Sequence, residues 1–200
     1  MAASGSRTES PSPSVPPARV PNKTWDERVS PLTPEASTER FRDAMALFAS
    51  GVTVVTARHG GEDSGMTVSA FFSVTLEPPR VLVSLSEDAD TTPLVEASGR
   101  FAVNLLAEDQ EPLSVRFAER LAPREKMQGV AFHRGSDGIV LLDGTLGALE
   151  CRVENRFPVG DHVLLVGTVE KLHEGRRELP LLYWNRGYGR LGRSGPGGSP

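Results

Sequence analysis

Gly65-Met66-Thr67-Val68-Ser69-Ala70-Phe71-Phe72-Ser73-Val74 is the stretch on which the reading of this chain turns. Apolar Met66, Val68 and Ala70 alternate with Thr67, Ser69 and Ser73, the period-2 pattern of a strand. A half-buried strand ordinarily sets charged or long polar side chains on its wet face. Here the partners are short hydroxyls, and Gly65 and Ala70 keep the surface low. Two readings stand. One is an edge strand with Ser and Thr toward water, an ordinary composition. The other is a backbone against which something flat lies, with hydroxyls and amides offered to its polar edge.

Working outward, Val52-Thr53-Val54-Val55-Thr56-Ala57 is a short β-branched run, and His59 to Gly65 is a turn. Together they make the opening stretch the second arm of a hairpin. Glu77-Pro78-Pro79 breaks the pattern. Arg80 to Ser86 is the next strand, about Thr92 to Ala97 a short helix ended by Ser98-Gly99, and Phe101 to Leu106 another strand. Gln110 to Glu119 reads as a helix with Leu113 and Phe117 on one side. Leu149 to Glu154 alternates, which turns Cys151 inward, and Val163 to Val169 follows a turn at Val159-Gly160-Asp161. Upstream, Thr33 and Pro34 open a helix whose Phe41, Met45 and Phe48 recur at i, i+4, i+7 and are expected to anchor the core. Six or more short strands with a few short helices predict a mainly β protein, a closed or nearly closed barrel with helical covers.

Outside this domain the composition changes. Residues 1–33 are rich in Pro and Ser, have little to bury, and are expected to be a disordered extension. Trp25 within them is read as a residue that docks on the domain or on a partner subunit. Residues 34–191 are the folded domain, and 192–200 a flexible Gly-rich tail. A formal net charge of −4 over 200 residues gives no electrostatic case for a nucleic-acid or anionic-membrane partner. No apolar run approaches the roughly 20 residues that span a bilayer, and the N-terminus lacks the apolar centre of a signal peptide. The single cysteine, Cys151, excludes an internal disulfide. A cytoplasmic protein is expected.

The chemistry-bearing motifs are sparse. His59, His133, His162 and His173 are far apart in sequence without neighbouring cysteines, so no metal site is expected. There is no phosphate-cradling Gly-rich loop and no nucleophile elbow. Cys151 reads as a buried structural thiol. Three features stand beside the opening stretch. Ser84-Leu85-Ser86 ends a strand. Asp90-Thr91-Thr92-Pro93 opens a helix with hydroxyls and free amides, which is either a phosphate site or an ordinary cap. Asn104 interrupts an apolar strand and needs partners, which backbone groups or a ligand edge supply.

Phe41-Arg42-Asp43-Ala44-Met45, Phe48, Ser50-Gly51-Val52-Thr53-Val54-Val55-Thr56 and the Gly65 to Val74 stretch together resemble the short-chain flavin reductase family, the reductase components of two-component flavin-dependent monooxygenases. The similarity continues through Pro78-Pro79, Ser98-Gly99 with Phe101 to Leu106, Leu113-Ser114 with Phe117-Ala118, Leu149 to Val153 and Gly160-Asp161-His162. It implies a split β-barrel of Greek-key type, a homodimer, and flavin held near the dimer interface. Carried over by position, Met66, Thr67, Val68, Ser69, Ala70 and Phe71 would face the isoalloxazine. Ser84, Leu85 and Ser86 would line the ribityl and phosphate region, and Thr91 and Thr92 the phosphate. Asn104 and Leu105 would sit by the ring, and Gly160, Asp161 and His162 beside the nicotinamide.

The implied activity is reduction of FMN or FAD by NADH or NADPH, with reduced flavin passed to a separate monooxygenase. Hydride passes between stacked rings, so no catalytic side chain is expected. One segment departs from the family, since Arg124-Glu125-Lys126-Met127 stands where Asp-Lys-Phe is usual. Whether Lys126 or Arg124 reaches the phosphate is left open by that change. Two other classes keep the same platform. One is a barrel with permanently bound FMN that acts on an organic substrate, and the other a non-catalytic flavin- or haem-binding barrel that has no need of His162.

Overall fold

The computed structural model describes residues 37–192, so the expectations for Trp25, Thr33, Pro34 and the terminal tails fall outside the described residues. The chain begins with α1 (Thr38–Ala46), β1 (Ser50–Gly51), β2 (Thr53–His59), β3 (Glu62–Val68), β4 (Phe71–Leu76) and β5 (Pro79–Ser86). It continues through α2 (Thr91–Ser98), β6 (Arg100–Leu105), α3 (Glu111–Ala118), α4 (Pro123–Met127), β7 (Phe132–Arg134) and β8 (Val140–Leu142). Two long strands, β9 (Gly147–Val159) and β10 (His162–Glu174), are followed by β11 (Leu182–Trp184) and β12 (Gly187–Gly189).

Seven strands form one antiparallel sheet in the order β3-β2-β6-β9-β10-β5-β4. Its two edge strands are consecutive in the chain and joined only by Ser69-Ala70. Laid flat, seven strands place their edges about 29 Å apart. Three residues of chain reach at most about 11 Å. The sheet must therefore curl until its edges approach, which makes a barrel split beside the Ser69-Ala70 corner. Two bonds fix that corner: Phe71 N donates to Ser69 O and Ser84 N to Ala70 O, both at 3.0 Å. The chain then leaves β5 and returns through α2, which packs on β3, β2 and β6. This crossover between hairpins is the Greek-key element.

The interior holds Val55, Val68, Val83, Leu85, Phe101, Val103, Cys151 and Leu165, with Val95 inserted from α2. Gly167 is required there, because a Cβ would come within 2.6 Å of the Phe101 ring. Cys151 is buried as expected, and burial first, then Glu170 and Glu150, pushes its thiol up to about 12. A second cluster, with Val52, Val54, Leu106, Phe117, Val140, Leu142 and Leu181, covers the other face of β2. Three buried polar side chains pin the β7–β8 segment over that face. Thr56 Oγ1 donates to Val140 O at 2.6 Å, Leu142 N donates to Asn104 Oδ1 at 2.8 Å, and Ser136 N to Glu150 Oε2 at 2.9 Å.

Three expectations are corrected here. Phe41, Met45 and Phe48 are not core anchors: Phe41 is 63 % and Phe48 70 % exposed, because the barrel is already covered by α2, α3, α4 and β7–β8 and leaves no face for α1. The Gly65 to Val74 stretch is not one strand but two, broken at the corner where the chain changes edges. Glu150, opposite Cys151 in the alternation, does not face water but lies 2 % exposed beneath the β7–β8 cover.

Candidate functional site

The corner organises the candidate site, since it leads from the β3 edge to the β4 edge and is tied to β5 by the Ser84–Ala70 bond. Around it the side chains divide by strand parity. Val68 and Leu85 lie in the barrel core, with Met66 and Phe71 packed against it, so these four offer a ligand chiefly their backbone. Ser84 and Ser86 alternate with Leu85 and are half-exposed. Ser69 and Ala70 are exposed. His162 pairs in register with Ser86 across β10 and β5, so the two segments assigned by the sequence to different ligands lie side by side. His162 Nδ1 bonds Asp161 Oδ1 at 2.8 Å, and this bond holds the Asp161 carboxyl below its ordinary range. Glu87 N donates to Asp161 O at 3.0 Å and ties the turn with Gly160 at its tip to the end of β5.

The N-terminus of α2 seats between β3 and β5. Thr91 Oγ1 and Ser64 Oγ on β3 lie 2.8 Å apart, and Thr92 Oγ1 donates to Ser86 O at 2.7 Å. Both threonines are buried and their hydroxyls join elements of the chain. What this end still presents is the Thr91 amide, since Asp90 makes no side-chain cap, Thr92 N donates to Ala89 O and Pro93 has no N–H. Lys126 on α4 lies close to it, only 9 % exposed. Burial pushes its ammonium pKa down, Asp90 partly opposes this, and its Nζ finds only Phe117 O at a long 3.5 Å. Met127 packs beside Phe117 in the second cluster and fills the place of the usual aromatic.

Asn104 settles the alternative left open for it. Its Nδ2 donates to Val54 O at 3.0 Å and Thr56 Oγ1 at 3.2 Å, and its Oδ1 accepts from Leu142 N. The amide is fully buried and its partners belong to the chain, so it stitches β2, β6 and β8 rather than offering an edge to a ring. Leu105 shares a row with Thr53 and Val68, on the β2 side of the corner. The low surface at Gly65 also has a local cause. A Cβ there would lie 2.8 Å from Phe117 Cε1, and Thr67 Oγ1 donates to Ser114 O at 2.6 Å. The flat object on this half of the stretch is the protein's own Phe117. The Ser64–Thr91 contact was missed; a serine beside a glycine near a strand start is too weak a signal to pair with a helix 27 residues on.

What the arrangement offers a flavin is a stretch of exposed small residues and backbone at Ser69-Ala70. It adds an outward hydroxyl at Ser84, one at Ser86 that donates to Asp88 Oδ1, the Thr91 amide with a buried cation at α2, and a histidine beside Ser86. The donor set suits a planar polar ring with an anionic tail.

Comparison with known proteins gives the family and the fold. The flavin reductase like domain family matches residues 45–192. The 4-hydroxyphenylacetate 3-monooxygenase reductase component of Thermus thermophilus is 46% identical over 153 residues, 76% of this chain and 96% of that protein. An NADH-dependent flavin reductase of a Rhodococcus species is 41% identical over 180 residues, covering 86% and 98% of the two chains. Among solved structures, the Streptomyces globisporus NADH:FAD oxidoreductase in complex with NAD and FAD fragments superposes with a TM-score of 0.75 at 28% identity, covering 82% of this chain and 99% of that one.

Proposed function

The chain belongs to the flavin reductase like domain family, and from that premise we propose that it is an NADH-dependent flavin reductase whose reduced product serves a separate monooxygenase. The observation that carries the reading is the 46% identity to a monooxygenase reductase component along nearly its whole length. Relatives named as NADH-dependent favour NADH as the donor. Bound flavin would supply the hydride acceptor for the nicotinamide. Residues of this chain supply orientation. Backbone at Ser69-Ala70 would support the ring. Ser84 and Ser86 would bond the ribityl chain, and the Thr91 amide that opens α2, with Lys126, the phosphate. His162, held by Asp161, would flank the nicotinamide. Asn104, Thr91 and Thr92 would act by holding the frame.

We further propose that the chain works as a homodimer in the cytoplasm. The outer face of β4 and the β9–β10 hairpin exposes Phe72, Val74, Leu76, Phe157 and Val159, and β4 is an unpaired sheet edge. Such an edge is ordinarily covered. No helix of the described residues is long and apolar enough to cross a membrane. Purified protein mixed with NADH, or separately NADPH, and FMN, FAD or riboflavin should consume nicotinamide absorbance only when flavin is present. Absence of flavin-dependent turnover with either nucleotide would overturn the assignment. Flavin that stays bound at stoichiometric level through gel filtration would favour the permanently bound alternative.

A further inference from the structure

The phosphate end of the candidate site holds two charged side chains with no role so far, Asp88 and Arg120. Asp88 lies on the turn between β5 and α2, and its one carboxylate spans two groups. Its Oδ1 accepts from the Ser86 hydroxyl, and its Oδ2 lies 3.5 Å from Arg120 Nη2. Arg120 comes just after α3. Lys126 reaches the same end of α3, with Nζ 3.5 Å from Phe117 O, and burial lowers its ammonium pKa while Asp90 partly restores it. Two cations of the α3–α4 segment thus face two acids of the turn that opens α2, beside the open Thr91 amide. The pairs differ in exposure. Lys126 is nine-tenths buried, whereas the Arg120 and Asp88 side chains are 94 % and 69 % exposed. An exposed ion pair of that length holds weakly. A guanidinium on a phosphate makes charge-assisted, often bidentate bonds, about twice as strong as neutral ones. Arg120 therefore exchanges Asp88 for a phosphate at little cost.

Building on the flavin reductase reading, we propose that Arg120 is a further phosphate ligand that selects phosphorylated flavins over riboflavin, and that Asp88 competes with the phosphate for it. The same carboxylate holds the Ser86 hydroxyl, so one displacement frees a group for the ribityl chain and a group for the phosphate. The competition serves release. Reduced flavin has to leave for a separate monooxygenase, and an acid that retakes Arg120 and Ser86 weakens the hold on the departing phosphate. The buried Lys126 keeps the phosphate end cationic throughout, because its nearest acid, Asp90, does not pair with it directly.

The test uses the full chain with saturating NADH and compares KM for FMN with KM for riboflavin, which lacks only the phosphate. Both side chains are exposed, so neither substitution reaches the core. In Arg120→Gln the ratio of the riboflavin KM to the FMN KM should fall about tenfold. In Asp88→Asn, which frees Arg120 and removes a like charge, the ratio should rise about fivefold. A pair that only braces the surface would move neither ratio. A ratio within about twofold of the parent in either variant, or a change of opposite sign, would overturn the proposal and leave the reductase reading standing. A parent that reduces neither flavin would overturn that reading and this assignment with it.

Discussion

The two halves of the Gly65 to Val74 stretch have opposite fates. The β3 half is covered by its own chain: Phe117 rests on Gly65, Thr67 bonds Ser114, and Asp63 is clasped by Arg58 and Arg134. The β4 half is left bare, with Phe72 55 % and Leu76 84 % exposed. Only Ser69-Ala70 separates them. The same apolar-and-hydroxyl composition thus serves intramolecular packing on one side of the corner and, we propose, a second copy on the other.

Removing the cover from β3 should have the largest effect. Phe117 is among the largest fully buried side chains and fills the space above Gly65. Phe117→Ala should cost about 3–5 kcal/mol, read from urea unfolding. A cost under about 1 kcal/mol would mean that α3 is not what holds this half. On the other side of the corner, Phe72→Lys should leave the barrel folded by circular dichroism yet raise the dimer dissociation constant about 100-fold, roughly 2.7 kcal/mol, in sedimentation. An unchanged association constant would place the dimer elsewhere, with the exposed α1 face as the next candidate.

Asp63 contributes on the covered half through charge. Burial pushes its pKa up, but hydrogen bonds from Arg134 and Arg58 outweigh burial and hold the carboxyl below its ordinary 3.8. A folded-state pKa below the unfolded one gives stability that is present above the unfolded value and lost as pH falls through the folded one. Asp63→Asn should therefore cost about 2 kcal/mol at pH 7. The gap between parent and variant should narrow as pH falls below about 4. A gap that does not narrow with falling pH would show that the loss is packing and not charge.

The strand alternation, the hairpin turns, the inward Cys151 and the helices ended by Gly99 and covered by Phe117 were legible in the sequence, because each is a local pattern. What escaped was long-range. Nothing near Ser69 says that the chain changes sheet edges there; that follows only from the strand order. The alternation set Glu150 opposite the inward Cys151, and the partners of Asn104 stayed open between backbone and a ligand edge, since the cover that buries both comes from β7–β8, whose three-residue strands carry almost no periodic signal. The α1 aromatics show the reverse failure. Helical spacing identified an apolar face correctly but could not say whether the same chain covers it. The flavin residues were placed by family resemblance, and strand parity then divides them into side chains available at the surface and side chains committed to the frame.

Thr67 sharpens that division with the smallest expected effect. Its hydroxyl donates to Ser114 O at 2.6 Å, so its one proton is already spent on α3. If the flavin meets only backbone here, Thr67→Val removes one half-buried hydrogen bond, costs about 1 kcal/mol of stability, and leaves the KM for FMN and FAD within about twofold. Had the hydroxyl been a flavin ligand, its loss would raise the flavin KM about tenfold or more at unchanged KM for NADH, the size expected when a polar group that bonds a ligand is left unpaired. Ser69→Ala provides the contrast, because Ser69 is exposed at the corner. A flavin KM that rises for Ser69→Ala and not for Thr67→Val would put the boundary between frame and ligand surface between Val68 and Ser69, where β3 ends. Equal effects at both positions would move the ligand surface back onto β3 and require α3 to shift when flavin binds.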